Sequence, residues 1–123
     1  MRLLLDTNVL LWWLAAERLS DHLQQLIADP MNDVIVSAAS AWEIAIKKAL
    51  NKLNAPDDLE AQLIAGGFLL LPISVGHAVA AGALPRHHDD PFDRMLIAQA
   101  RAEQLTLVTS DTRFGAYEVD LLG

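Results

Sequence analysis

The sequence has no cysteine, and it has only 9 lysines and arginines against 16 aspartates and glutamates, which gives a formal net charge of −7. The absence of cysteine excludes disulfide bonds, zinc–thiolate sites and thiol chemistry, and it is typical of proteins of the reducing cytoplasm. The excess of acidic residues argues against a protein that coats nucleic acid through a broad basic surface. Any contact with nucleic acid is therefore expected to be local.

The sequence also lacks a long hydrophobic run of the kind that spans a membrane, for which roughly 18 consecutive apolar residues are needed. The apolar stretch at the N-terminus is interrupted by Asp6 and does not have the form of an export signal. We therefore expect a cytoplasmic protein without membrane contact. The length of 123 residues and the hydrophobic share of 53% suit a single domain, 1–123, with one core.

Short apolar runs alternate with helix-length stretches along the chain. The runs predicted as β-strands are Arg2–Leu5, Asp33–Ser37, Leu105–Thr109, Val119–Leu122 and, more weakly, Phe68–Leu71. Helices are predicted over Val9–Ala16, Asp21–Ala28, Ala38–Lys52, Asp57–Ala65, Val75–Ala81 and Pro91–Glu103. This alternation predicts an α/β fold with a mainly parallel central sheet of four to five strands, covered by helices on both faces.

Two aspartates, Asp6 and Asp111, each follow the end of a predicted strand. In open α/β sheets, ligands usually bind in the crevice beyond the carboxyl ends of the strands, so both side chains are expected at one edge of the sheet. The alternative is that each aspartate only caps the helix or turn that follows, which stabilises by about 1 kcal/mol. The two roles stay open for each residue taken singly.

Glu43 lies within the helix predicted over Ala38–Lys52, whose buried stripe is expected to consist of Ala39, Trp42, Ile46, Ala49, Leu50 and Leu53. At about 100° per residue, Glu43 lies beside Trp42 at the margin of that stripe and can reach a pocket. The alternative is a surface pair with Lys47 at i,i+4, which stabilises a helix by roughly 0.3–0.5 kcal/mol.

Asp93 begins the apolar stripe of the last predicted helix, because Leu96, Ile97 and Ala100 follow at helical spacing. A carboxylate in that position faces inward. The segment from Asp90 to Asp93 is also a good helix start, with Asp90 as N-cap, Pro91 in the first position and Asp93 near the positive end of the helix dipole. Asp89 and Asp90 are interpreted as capping or solvated residues.

The four acids, Asp6, Glu43, Asp93 and Asp111, can converge at one edge of the sheet. Two unit charges about 6 Å apart repel by roughly 3 kcal/mol at an effective dielectric near 20, whereas a whole domain is stable by about 5–15 kcal/mol. Cations are therefore needed to hold such a cluster together. Mg²⁺ or Mn²⁺ prefers oxygen ligands and also activates water against a phosphodiester.

Four blocks of the sequence together resemble PIN-domain nucleases, and specifically the VapC toxins of bacterial VapBC toxin–antitoxin pairs. The blocks are Leu3–Trp12, Val36–Ile44, Asp90–Ala98 and Leu105–Asp111, in the order and spacing typical of that family. The resemblance implies a PIN-like three-layer α/β/α fold in which Asp6, Glu43, Asp93 and Asp111 hold the metal. The last of these positions varies within the family, and Asn8 and Ser110 are candidate polar supports around the metal site.

The resemblance further implies metal-assisted hydrolysis of RNA, in which water attacks phosphorus while Mg²⁺ or Mn²⁺ neutralises charge on the phosphate oxygens. It also implies a homodimer and a cognate VapB-type antitoxin whose C-terminal segment covers an apolar groove. The helix predicted over Val9–Ala16 is apolar all the way round, so Trp12 or Trp13 is a candidate anchor for a partner. The candidate phosphate contacts, by proximity to the motifs, are Lys47, Arg86, Arg94 and Arg113.

Three other interpretations remain at this level. His87 and His88 could be metal ligands, but adjacent side chains in a loop lack a third ligand at a suitable spacing, and we expect them at most to border the site. A phosphoryl-transfer or receiver-type α/β protein also uses aspartates at strand ends, but no second acid follows Asp6 closely. A non-catalytic dimerising PIN-like module with a degenerate pocket is disfavoured by intact acids at all four positions.

Overall fold

The computed structural model describes residues 1–123 and contains one five-stranded sheet. Its strands are β1 (Arg2–Leu5), β2 (Asp33–Ser37), β3 (Leu69–Leu71), β4 (Thr106–Val108) and β5 (Leu121–Leu122). Every neighbouring pair is parallel, in the order β3–β2–β1–β4–β5. The chain therefore winds outward from β1 on one side and then on the other. The point where the winding changes direction lies between β1 and β4, which is where open parallel sheets usually bind ligands.

Helices connect the strands, as the alternating pattern predicts. They are α1 (Thr7–Ala15), α2 (Asp21–Ala28), α3 (Ala38–Ala49), α4 (Leu59–Ala65), α5 (Val75–Ala83) and α6 (Pro91–Glu103), with a 3₁₀ helix at Thr112–Ala116. The 3₁₀ helix was not predicted, and α1 begins two residues earlier than the apolar pattern indicated, because Asp6 caps it. No helix in the fold combines the length and the hydropathy that crossing a bilayer requires.

Alternate residues of β1 pack on opposite faces of the sheet, as strand geometry requires. Leu3 and Leu5 belong to the core cluster shared with α1, α2 and α4, whereas Leu4 belongs to the cluster shared with α5 and α6. Helix α3 contributes to both clusters, through Ala39 to one and Ile44 to the other. The protein thus has three layers, with the sheet between two layers of helices, as predicted.

The predicted buried face of α3 was wrong except at Ala39, the one residue of the predicted stripe that is buried. Trp42 and Leu50 are 61% and 58% exposed, and the residues that α3 buries are Ala39, Ser40, Glu43 and Ile44. The Ser40 hydroxyl accepts a 3.0 Å hydrogen bond from the Thr7 hydroxyl. This buried contact with α1 lies on the face of α3 that is turned inward, which is not the face that the sequence predicted. The consequence for the site is that Glu43 lies inside the protein and not at the margin of a buried stripe.

Candidate metal centre

Asp6 follows β1 and is 4% exposed. Its Oδ1 accepts a 2.7 Å hydrogen bond from the backbone N–H of Val9, which caps α1, and its Oδ2 accepts a 2.5 Å hydrogen bond from the hydroxyl of Thr109. The backbone N–H of Asp6 donates to the carbonyl of Val108, so the ends of β1 and β4 are held side by side. The sequence left two alternatives for Asp6, a cap of the following helix or a side chain at the edge of the sheet. In the structure Asp6 does both.

Asp111 follows β4 in the same region of the sheet. Its backbone N–H donates to Oγ1 of Thr109, so Thr109 contacts both Asp111 and Asp6. The carboxylate of Asp111 caps the 3₁₀ helix and forms an ion pair with the guanidinium of Arg113, with an Oδ2–Nη2 distance of 2.6 Å. That hydrogen-bonded contact with Arg113 lowers the pKa of Asp111.

Glu43 is buried in α3 at 6% exposure. Its Oε2 accepts a 2.7 Å hydrogen bond from Nζ of Lys47, so the i,i+4 pair exists, although the glutamate is not on the surface. Its Oε1 is the one buried side-chain polar atom of the structure that has no hydrogen-bond partner. Because an unpaired buried carboxylate oxygen is costly, Oε1 requires a ligand, an ion or water in the working protein.

Asp93 lies in the first turn of α6. The N-terminus of α6 is built as the sequence predicts, with Pro91 in the first turn and Oδ1 of Asp90 accepting a hydrogen bond from the backbone N–H of Asp93. This arrangement leaves the Asp93 carboxylate free to make other contacts, and its Oδ2 lies 2.7 Å from Nε2 of His88. Burial raises the pKa of Asp93 to about 6, against the opposing effect of that hydrogen bond.

His88 is held in the site by contacts on its backbone and on its ring. Its backbone N–H donates to the hydroxyl of Tyr117 at 2.9 Å, its carbonyl accepts from Arg94 at 3.2 Å, and its ring packs edge-on against Phe114. When Asp93 is ionised, Nε2 of His88 must be the protonated nitrogen, because a carboxylate can only accept. His88 was expected at most to border the site, but in the structure it contacts Asp93 directly and belongs to the cluster.

The structure brings the four predicted acids into one electrostatic cluster. Burial raises the pKa of Asp6, and the negative charges of Asp111 and Glu43 raise it further, against the hydrogen bonds from Thr109 and Val9. The charge of Glu43 likewise raises the pKa of Asp93. One ligand atom from each of His88, Asp93 and Asp111 can be chosen so that all three lie within 4.8 Å of one another.

These residues fit a hard divalent cation. Carboxylate oxygens dominate the cluster, as Mg²⁺ and Mn²⁺ require, and the unpartnered Oε1 of Glu43 is free to bind an ion. His88 would be an unusual ligand for Mg²⁺, and its contact with Asp93 instead resembles the outer hydrogen bonds that orient ligands in metal sites. The 3.0 Å Thr7–Ser40 bond ties α3 to α1, and the 2.5 Å bond from Ser37, which ends β2 and caps α3, to Gln99 ties this junction to α6.

The cations that the sequence suggested as phosphate contacts are mostly engaged elsewhere. Arg94 donates to backbone carbonyls of the segment before α6, at distances of 2.9–3.2 Å; the acceptors are Ala81, Leu84, Pro85 and His88. Arg94 therefore holds the α5–α6 connection, and its guanidinium is already engaged at the position where it was a candidate phosphate contact. Lys47 and Arg113 are paired with Glu43 and Asp111, and Arg86 is exposed.

The polar residues predicted to support Asp6 and Asp111 were wrong. Asn8 and Ser110 are exposed, whereas Thr7 and Thr109, one residue earlier in each case, are buried and hydrogen-bonded in the site. The position of Thr109 at the end of a strand beside Asp111 was a usable signal. Nothing in the sequence distinguishes His88, which is buried, from His87, which is exposed.

A PIN-domain family model matches residues 3–119, which is nearly the whole chain. The chain belongs to the PIN domain family. This membership agrees with the three-layer fold and its parallel five-stranded sheet. It also removes the receiver-type protein as an alternative.

Solved structures with the same PIN fold cover almost all of this chain. They include VapBC2 from Rickettsia felis bound to a promoter DNA fragment, with a TM-score of 0.73, 18% identity and coverage of 99% of this chain and 98% of that one. For VapBC from Salmonella typhimurium bound to DNA, the TM-score is 0.71 and the identity is 16%, with coverage of 99% of this chain and 97% of that one. For a toxin–antitoxin complex from Klebsiella pneumoniae, the TM-score is 0.68 and the identity is 23%, with coverage of 98% of this chain and 95% of that one. At these identities the likeness concerns the fold.

Among curated proteins, a 1-deoxy-D-xylulose 5-phosphate reductoisomerase from Xanthomonas oryzae pv. oryzae is 40% identical to this chain over 62 residues. The match covers 50% of this chain and only 14% of that protein. About half of this chain thus corresponds to a small part of that relative's length, and the relative's activity is not assigned to this chain.

Proposed function

We propose that this PIN domain, residues 1–123, is a VapC-type toxin that acts in the cytoplasm as a Mg²⁺- or Mn²⁺-dependent endoribonuclease. The observation that carries the proposal is the buried, unpartnered Oε1 of Glu43 within a cluster that also holds Asp6, Asp93 and Asp111. A cluster of this kind costs folding free energy unless a cation neutralises it, so it is better explained by metal binding than by stability. The likeness to solved toxin–antitoxin complexes supports the toxin assignment.

The proposed reaction is hydrolysis of a phosphodiester: the oxygen of water joins phosphorus, one P–O ester bond breaks, and the leaving oxygen takes a proton. A divalent cation bound by Asp6, Glu43, Asp93 and Asp111 would supply Lewis-acid chemistry, polarising phosphate oxygens and making water more acidic. The chain's own residues hold the ligand geometry: Thr109 fixes Asp6, and His88 fixes Asp93. Lys47, next to Glu43, adds positive charge at the pocket.

The proposed partners are RNA, a VapB-type antitoxin and a second copy of the chain. Trp12 and Trp13 are half-buried and line a groove of about 270 Å³ between α1 and α2, which suits an apolar side chain of the antitoxin. On the opposite layer, Val75 and Val79 of α5 are 82% and 68% exposed, and we propose this apolar face for the homodimer. Light scattering of the purified chain tests the dimer.

The experiment that tests the activity compares wild type, Asp93→Asn and Asp89→Asn on a mixed RNA pool with Mg²⁺, Mn²⁺ or EDTA. Asp89 is exposed in the loop before α6, so Asp89→Asn is the matched control and should cleave as wild type does. Asp93→Asn should abolish cleavage and leave the metal-free protein equally or more thermostable, because it removes a charge from a repulsive cluster. Wild-type cleavage that survives EDTA would contradict the metal mechanism, and metal-free RNA binding without cleavage would favour a non-catalytic module.

A further inference from the structure

The positive charges nearest the acidic cluster are already satisfied within the protein. Lys47 pairs with Glu43, Arg113 pairs with Asp111, and Arg94 donates to backbone carbonyls. The whole chain also carries a net charge of −7. Contacts between phosphates and side-chain cations, which usually dominate the affinity of proteins for nucleic acids, are therefore scarce at this site. An RNA strand, if RNA is the substrate as proposed above, needs another kind of contact.

An aromatic pair, of which Trp42 is exposed and Phe92 is half-buried, adjoins the cluster. Trp42 directly precedes Glu43 on α3, and Phe92 directly precedes Asp93 on α6; the two rings meet edge to face with centroids 5.3 Å apart and an interplanar angle of 74°. Glu43 points into the protein, and Trp42, about 100° around the same helix, points out and is 61% exposed. The aromatic pair is thus formed by the chain neighbours of two proposed metal ligands, with Trp42 on the solvent side of α3.

The contact with Phe92 leaves most of the indole uncovered. The other two tryptophans, Trp12 and Trp13, are half-buried on α1, so Trp42 is the tryptophan that the fold leaves most open. A rigid ring that is held from one side by a second ring has little conformational entropy to lose when a flat ligand stacks on it. Base–aromatic stacking is worth about 1–3 kcal/mol per base and requires no cation.

We propose that Trp42, supported by Phe92, is a stacking platform for an unpaired nucleobase of the RNA strand whose phosphodiester enters the acidic cluster. Stacking on an aromatic side chain requires a base that is splayed out of a duplex. The platform therefore selects single-stranded RNA next to the cleaved bond. Because every base has a flat face, the platform adds affinity and a preference for unpaired strands, and it does not select a base sequence.

The test uses two fluorescent strands of equal length and charge, one an unpaired RNA and the other the same sugar–phosphate chain with abasic sites. Binding is measured by fluorescence anisotropy in Ca²⁺, with a gel showing that the strands stay intact. Wild type should bind the strand with bases more tightly. Trp42→Leu should lose roughly five- to 150-fold in affinity for it and should bind the two strands equally. Trp42→Tyr, which keeps an aromatic face, should retain the preference.

Three outcomes would overturn the proposal. The first is equal binding of the strand with bases by wild type and Trp42→Leu; the second is an equal loss on both strands, which would place Trp42 among the phosphate contacts or in the structural frame. The third is a lower molar mass of Trp42→Leu in light scattering, which would assign Trp42 to an interface between protein chains. If wild type neither binds nor cleaves RNA, the proposed function itself fails, and this result differs from all three.

Discussion

The hydroxyl of Thr109 donates a 2.5 Å hydrogen bond to Oδ2 of Asp6, a residue 103 positions away in the chain, and this bond joins the ends of the neighbouring strands β1 and β4. Asp6 also caps α1 through its other oxygen, so both oxygens of this buried carboxylate are hydrogen-bonded. Thr109 in addition accepts from the backbone N–H of Asp111. One threonine therefore fixes two of the proposed metal ligands at the point where the sheet changes its direction of winding.

Replacing Thr109 tests this arrangement. Thr109→Val keeps the shape of the side chain but leaves Oδ2 of Asp6 buried without its donor, so the free energy of unfolding at pH 7 should fall by about 1–3 kcal/mol. Thr109→Ser keeps the hydroxyl and should lose much less. Urea unfolding of the metal-free proteins measures both. Equal stabilities for the valine and serine variants would mean that the hydrogen bond to Asp6 contributes nothing.

The stability of the metal-free protein should depend on the protonation of Asp93. Its pKa is raised from the ordinary 3.8 to about 6 in the folded protein, so between these values the folded state binds more protons than the unfolded state. The stabilising contribution of protonated Asp93 is then present below about pH 4 and is lost as the pH rises through 6. It amounts to up to about 3 kcal/mol.

The measurement is urea unfolding in EDTA between pH 4.5 and 7.5, with Asp93→Asn as the reference. The difference in unfolding free energy between wild type and Asp93→Asn isolates Asp93 from the other titrating groups. Wild type should lose stability relative to the variant as the pH rises. A difference that does not change with pH would show that Asp93 titrates normally in the folded protein.

Glu43 should be required for stabilisation by metal. Mn²⁺ at about 100 times its dissociation constant stabilises a folded protein that alone binds it by about 2.7 kcal/mol, which is roughly 10 °C in Tm for a domain of this size. Wild type and Glu60→Gln, which changes an exposed glutamate of α4, should show this increase. Glu43→Gln should show little or none of it in differential scanning calorimetry. An equal increase in all three proteins would place the ion elsewhere.

His88 should act on metal affinity through the hydrogen bond from Nε2 to Asp93. His88→Gln places an amide N–H at about the reach of Nε2 and should bind Mn²⁺ nearly as wild type does. His88→Asn is too short to contact Asp93 and should bind more weakly by roughly ten- to a hundredfold. Electron paramagnetic resonance of free Mn²⁺ measures the affinities, and His87→Asn is the control at an exposed position. If the glutamine and asparagine variants bind equally, the hydrogen bond does not position Asp93.

The arrangement of strands and helices was predictable because it depends on local pattern. Runs of leucine, valine and isoleucine identify the buried strands, and Asp90 with Pro91 marks the start of α6 correctly. The failure at α3 has a physical reason. Helix α3 contacts both α1 and α6 and therefore buries parts of two faces. Hydropathy alone predicted that Trp42 would be buried, but the inward face carries Ser40, which bonds Thr7, and Glu43.

For the candidate site, the sequence by itself determined which acids are present and that Asp6 and Asp111 follow strands, because the carboxyl ends of parallel strands share one edge. Helical spacing already offered Lys47 as a partner of Glu43, but only the tertiary structure decided the partners of Asp6 and Asp93. Thr109 contacts Asp6 at 2.5 Å, and His88 contacts Asp93 at 2.7 Å. His88 reaches Asp93 because Arg94 and Tyr117 bind its backbone. Such contacts depend on the direction in which each side chain leaves a packed element, and periodicity along the chain does not encode that direction.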